Sequence, residues 1–128
     1  MIFRTPQINL YSLDILKSVA FYAELGFVET FRTPQEGHPD HVELLLDGFT
    51  IGIASATAAA ADHGLQPQLT GRAIEIVLWT DDTDGAFARL TAAGSRALSA
   101  PHDWLEDLRI AWVTDPDDNP IQLVQRRA

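Results

Sequence analysis

Short runs along the chain alternate apolar and polar residues, and turn-forming residues bound each run. QINLYS (7–12), FVETFRT (27–33), HVELLLD (41–47) and FTIGIAS (49–55) carry the two-residue period of β-strands. Between the first two, Val19, Phe21, Tyr22 and Leu25 give a stretch of helical period an apolar face. Asp14 stands where a cap would accept from first-turn N–H groups, and Gly26 where a helix ends. Asp47-Gly48 is a hairpin signal joining the third and fourth strands. The second half reads alike: AIEIVLWT (73–80) as a strand, 82–93 as a helix, RALSA (96–100) as a short strand. LRIAWVT (108–114) and NPIQLVQ (119–125) then form a hairpin across Pro116 to Asp118.

The two halves are a repeat. The offset that lays Asp14 on Asp82 also lays Gly26 on Gly94 and Asp47 on Asp115. It superposes HVELLLD on RIAWVTD and QINLY on EIVLW. The expected organisation is one α+β domain, 1–128, built from two βαβββ modules: 1–54 and 72–128, joined by a linker at 55–71. The alanine run in SATAAAADHGLQPQLTG reads as a short helix or as plain linker. The linker reading is preferred because Gly64, Pro67 and Gly71 break any longer element.

Alternation gives each strand two faces. Ile8 and Leu10, Ile76 and Leu78, and Ile121 and Leu123 point toward the helices. Gln7, Asn9 and Tyr11 point the other way, with Glu75, Val77 and Trp79, and with Gln122 and Val124. One face is core, and the other mixes polar and aromatic groups as a binding surface would.

Composition narrows the function. The net charge of −9 repels nucleic-acid backbones and favours cationic small molecules, although acidity also simply keeps a protein soluble. No cysteine is present, which excludes disulfides and thiolate metal sites. No apolar run reaches membrane-spanning length, so neither a membrane nor a nucleic acid is an expected partner, and a cytoplasmic location is expected. DPDDN (115–119) shares a fragment with calcium loops but lacks their further spacing, and reads as a turn.

Paired βαβββ units with LDILKSVAFYAELGF, DDTDGAFARLTAAG and DPDDNPIQLV resemble the vicinal oxygen chelate superfamily. That family includes glyoxalase I, extradiol dioxygenases, fosfomycin resistance enzymes and bleomycin resistance proteins. The resemblance implies the glyoxalase/bleomycin resistance fold: two curled mixed sheets around a ligand cup, commonly in a homodimer. Metal-dependent members take ligands from the first and last strands of each half. Those positions match Gln7, Gly52, Glu75 and Gln122 here. One carboxylate, two neutral amides and a glycine are a poor set for a divalent ion, so no metal and no other cofactor is expected. His38, His41, His63 and His102 lie in loops or at strand starts and read as surface residues.

The non-enzymatic members sequester drugs between aromatic side chains. The resemblance therefore implies a metal-independent small-molecule-binding protein, drug-sequestering and linked to antibiotic resistance. Its ligand would be planar or cationic and held by Gln7, Asn9, Tyr11, Glu75, Val77, Trp79, Trp104, Trp112 and Gln122. Trp112 reads equally as core, Trp104 as a loop plug, and Glu75 as a carboxylate satisfied by Gln7 or Gln122. The alternative is a divergent metal-dependent lyase, isomerase or dioxygenase with Glu75 catalytic.

Overall fold

Asp14 and Asp82 start the two long helices in the same way. Asp14 Oδ1 accepts from Lys17 N at 3.2 Å, and Asp82 Oδ1 accepts from Gly85 N at 2.9 Å. Two residues earlier a hydroxyl braces each cap. Ser12 Oγ accepts from Asp14 N at 3.0 Å, and Thr80 Oγ1 from Asp82 N at 3.2 Å. The helices stop at Gly26 and Gly94, whose φ values of 106° and 111° suit glycine.

The computed structural model describes residues 4–128. The elements are β1 (Ile8–Ser12), α1 (Ile15–Glu24), β2 (Val28–Thr33), β3 (His41–Leu46), β4 (Phe49–Ser55), α2 (Ala56–His63), β5 (Ile76–Trp79), α3 (Thr83–Ala92), β6 (Ala97–Trp104), β7 (Leu108–Thr114) and β8 (Pro120–Arg126). They fall into two compact units that divide between Leu69 and Thr70. Each unit holds one open four-stranded mixed sheet, in the orders β1-β4-β3-β2 and β5-β8-β7-β6. The outer strands β1 and β5 run parallel to β4 and β8, and the other pairs are antiparallel. This is an α+β fold of paired βαβββ units. Among the described residues no helix is long and apolar enough to cross a membrane.

Three elements differ from the expected pattern. The alanine run is a helix, α2, because Ser55 Oγ caps Ala58 N at 3.0 Å and Gly64 ends it in the left-handed region. The strand begun at RALSA runs on to Trp104, so Trp104 lies on β6 rather than in a loop. The strand expected over 73–80 is only the four residues of β5.

In the first unit, α1 buries Ile15 and Tyr22 on the face carrying Leu10, Val42, Leu44, Ile51 and Ile53. Tyr22 is fully buried and meets Phe21 and Phe27 edge-on, with centroids 5.1 and 5.5 Å away. In the second unit, Ile76, Leu90, Ala111, Val113, Ile121 and Leu123 form the core under α3. Polar groups tie that helix down. Thr83 N donates to Gln125 Oε1 at 2.8 Å, and Thr83 Oγ1 donates to the Arg109 carbonyl at 2.9 Å. The Arg109 guanidinium grips both Asp84 oxygens and reaches Asp103 at 3.1 Å. This pairing holds the Asp84 carboxyl below the usual carboxylate range.

Two outcomes follow for stability. Tyr22→Ala leaves a large cavity between α1 and the first sheet and costs about 3–5 kcal/mol, read by urea unfolding. A loss under about 1 kcal/mol contradicts this packing. For Asp84 the folded-state pKa lies below the unfolded one, so its stabilisation is present above the ordinary aspartate range and fades as pH falls through the lowered value. Asp84→Asn lowers the melting temperature slightly at neutral pH and makes its fall at acid pH shallower. Parallel wild-type and variant curves from neutral to acid pH contradict the pairing.

Candidate functional site

Strand register sets the rows on the face of the first sheet opposite α1, two of which carry its polar groups. One row holds Tyr11, Ala54, His41 and Thr33, and the other holds Asn9, Gly52, Glu43 and Phe31. Gly52 sits in the middle of the second row. A Cβ there would overlap Asn9 Oδ1 and come within 2.8 Å of His41 Cε1. Asn9 and His41 therefore lean over a position that has no side chain of its own.

Hydrogen bonds join these residues. Gln7 Nε2 donates to Asn9 Oδ1 at 3.0 Å and approaches Glu43 Oε2 at 3.4 Å. His41 Nε2 is 3.1 Å from the same Glu43 oxygen. A cavity of about 380 Å³ is lined by Asn9, Tyr11 and His41 on the sheet side and by Ala58 and Ala59 of α2. Gln7 lines a separate cavity of about 580 Å³ with Ile8, Phe49 and Thr50.

The face of the second sheet opposite α3 has the same layout and different chemistry. One row holds Val77, Gln122 and Trp112, the next Trp79, Val124, Ile110 and His102, and the third Arg126, Leu108 and Trp104. Trp79 and Trp104 are 60% and 52% exposed, which is high for the largest apolar side chain. The His102 ring stacks on Trp112 at 6.3 Å between centroids, with 26° between planes. The Arg126 guanidinium lies 5.4 Å above the Trp79 ring and also pairs with Asp107 at 2.6 Å. Trp112 Nε1 approaches both Glu75 oxygens at 3.4 Å.

The expected site residues are thus divided between two faces. Asn9 and Tyr11 share a cavity in the first unit, and Gln7 is bonded to Asn9 beside it. Glu75, Val77, Trp79, Trp104, Trp112 and Gln122 lie on or beside the second face. Glu75 is exposed and meets Trp112, whereas the sequence suggested Gln7 or Gln122 as its partner. Val124 is on the expected face but fully packed, between Trp79 and Ile110. The repeat offset superposes Ala111 on Glu43. The sheet register instead gives that place to Trp112, because Trp112 pairs with Gln122 as Glu43 pairs with Gly52.

The sequence reading set His41 aside as a surface histidine and did not single out Glu43. The signal was there: in HVELLLD they alternate with the buried Val42 and Leu44, so both face away from the helix. DPDDN is a turn. Buried Asp115 accepts from Asp117 N and Asn119 N, both at 2.8 Å.

By the family resemblance a metal would draw its ligands from Gln7, Gly52, Glu75 and Gln122. Gln7 is occupied with Asn9 and Glu43, Gly52 offers no donor, and Glu75 faces an indole N–H. Gln122 is a neutral amide. Among the described residues no three His, Cys, Asp or Glu side chains are grouped to hold an ion. This donor set does not fit a divalent metal.

A family model described as Glyoxalase/Bleomycin resistance protein/Dioxygenase superfamily matches residues 4–123. No curated protein matches the chain. Solved structures of similar fold include a hypothetical protein from S. aureus, with a TM-score of 0.80 and 18% identity, covering 98% of this chain and 95% of that one. A glyoxalase-related enzyme from Fulvimarina pelagi has a TM-score of 0.79 and 20% identity, covering 96% and 88%. A glyoxalase/bleomycin resistance protein/dioxygenase family enzyme from Burkholderia phytofirmans has a TM-score of 0.78 and 21% identity, covering 94% and 96%. At these identities the likeness is one of fold.

The donor set predicts that protein incubated with Mn, Fe, Co, Ni or Zn and then freed of unbound ions retains far less than one metal per chain by elemental analysis. Stoichiometric metal that disappears in Glu75→Ala would overturn this.

Proposed function

The chain belongs to the glyoxalase/bleomycin resistance protein/dioxygenase superfamily, and on that premise we propose that it binds a planar organic molecule without a metal. The observation that carries the proposal is the aromatic face of the second unit. Trp79 and Trp104 stand more than half exposed on one sheet face, with Val77 exposed and Trp112 half-buried beside them. Ordered, solvent-facing indoles of this kind are costly surface unless something covers them.

The polar groups on that face set the ligand's character. Glu75 accepts from the Trp112 N–H and fixes the indole's orientation, while Gln122 between Val77 and Trp112 supplies both a donor and an acceptor. Arg126 already covers Trp79 as a cation over its ring. A flat, conjugated ligand with hydrogen-bonding edges suits this surface. A cationic centre would meet Glu75 on the Trp112 side and be repelled by Arg126 on the Trp79 side. Drug sequestration, antibiotic resistance and a homodimer belong to the same proposal, supported by the family resemblance.

Titration with planar aromatic compounds quenches tryptophan fluorescence, and Trp112→Ala weakens binding of a quencher about fivefold, as loss of one stacking partner worth about 1 kcal/mol implies. Trp112→Ala binding as tightly as the wild type would remove the aromatic face from the reading.

A further inference from the structure

Two arginines of the second unit hold aspartates in different ways. Arg109 uses Nε and Nη2 on Asp84 and Nη1 on Asp103. Arg126 uses only Nη1, on Asp107 Oδ2 at 2.6 Å. Among the described residues its Nε and Nη2 meet no acceptor. The guanidinium is nevertheless held in place. Its carbon lies 5.4 Å above the Trp79 ring. Arg127 N donates to the Asp107 carbonyl at 2.6 Å, which fixes the end of β8 beside the turn that carries Asp107. A fork oriented in advance loses little freedom when a second acceptor arrives, and its open Nε–Nη2 edge matches the two oxygens of a carboxylate.

Strand register puts apolar surface next to that fork. Arg126 pairs with Leu108, and Leu108 pairs with Trp104, which is more than half exposed. The row spans two strand spacings, roughly 10 Å, the length of a two-ring aromatic. Glu75 precedes Trp79 by four residues, roughly 13 Å of extended chain, so the face is positive at one end and negative at the other. The net charge of −9 opposes an anion mainly at long range. Beyond about 8 Å exposed charges are largely screened at physiological ionic strength, whereas a carboxylate on the fork is in direct contact. The same net charge favours a ligand with one negative charge over a phosphate, which carries nearly two.

Resting on the aromatic-face reading, we propose that the ligand of this face is an aromatic monocarboxylate, whose acid group meets the open edge of Arg126 while its flat ring lies over Leu108 against Trp104. Arg126 is then the residue that sets specificity. Trp79 positions it through the ring beneath the guanidinium, and Asp107 through the bond to Nη1. A neutral ring binds the same surface more weakly, and an aromatic amine is turned away from this end.

The test compares 2-naphthoate with 2-naphthamide by isothermal titration calorimetry on the full chain. The wild type is expected to bind the acid about fivefold more tightly than the amide. The factor is modest because the Arg126 side chain is 65% exposed and already paired with Asp107. Arg126→Gln is expected to remove that preference and to leave amide binding within about twofold of the wild type. Arg126→Lys keeps the charge, loses the fork, and retains a preference of about twofold. Arg96→Gln, at the other end of β8 where Arg96 meets Asp118, keeps the full preference. Trp104→Ala weakens both probes alike. Thermal unfolding checks that each variant is folded, and Arg126→Lys carries the test if Arg126→Gln is not. Equal wild-type affinity for acid and amide, or a preference for the acid that survives Arg126→Gln, overturns this specificity and leaves the aromatic face standing. Amide binding untouched by Trp104→Ala overturns the placement of the ring. Binding of neither probe overturns the aromatic-face reading and this specificity with it.

Discussion

A side chain at position 52 would collide with the Asn9 amide, and the polar face of the first sheet is arranged around that constraint. β4 lies between β1 and β3, so whatever stands at 52 touches residues of both neighbours. With glycine there, the Asn9 amide closes over the backbone and bonds Gln7. The His41 ring leans in diagonally and reaches the Glu43 carboxylate two residues along its own strand. An open sheet face ordinarily leaves such polar groups to water. Here one carboxylate oxygen lies 3.4 Å from the Gln7 side-chain nitrogen and 3.1 Å from the His41 ring nitrogen.

The same scaffold position is used differently in the second unit. Gln122 pairs with Val77 and Trp112 as Gly52 pairs with Asn9 and Glu43. In both units a polar group from just before the first strand reaches the centre of the third: Gln7 to Glu43, and Glu75 to Trp112. The carboxylate has changed strands between the copies. In the first it is central, beside the Gln7 amide and the His41 ring. In the second it is peripheral and steadies an indole. One copy is thereby a hydrogen-bonding face and the other an aromatic one.

Much of the fold was legible because its punctuation is local. Asp14 and Asp82 cap helices through their own side chains, and Gly26 and Gly94 adopt a conformation that disfavours other residues. Resemblance to the superfamily rests on that punctuation and was read from it. Strand phase is less local. The offset that matches Asp47 to Asp115 superposes Ala111 on Glu43, because turn residues dominate a weak alignment. The loop of 115–119 is longer than the Asp47-Gly48 turn, and the pairing partner, not the turn, decides which residue faces out. Trp112 therefore takes the place that Ala111 held in the alignment. The short helix α2 had both its signals, Ser55 and Gly64, but its alanines carry too little apolar contrast to mark a face.

The candidate site was half legible for a related reason. Glu75 and Gln122 were singled out for their chemistry at family positions. His41 and Glu43 occupy no such position, and their importance comes from what they touch. A histidine at the start of a strand looks like surface until the next residues show its parity: Val42 and Leu44 go into the core, so His41 and Glu43 must share the opposite face. What parity could not reveal is the vacancy at Gly52. The empty Cβ position leaves room for the ring edge of His41, whose Nε2 lies 3.1 Å from Glu43 Oε2. Asn9 of β1 and His41 of β3 then close on the same missing atom from both sides.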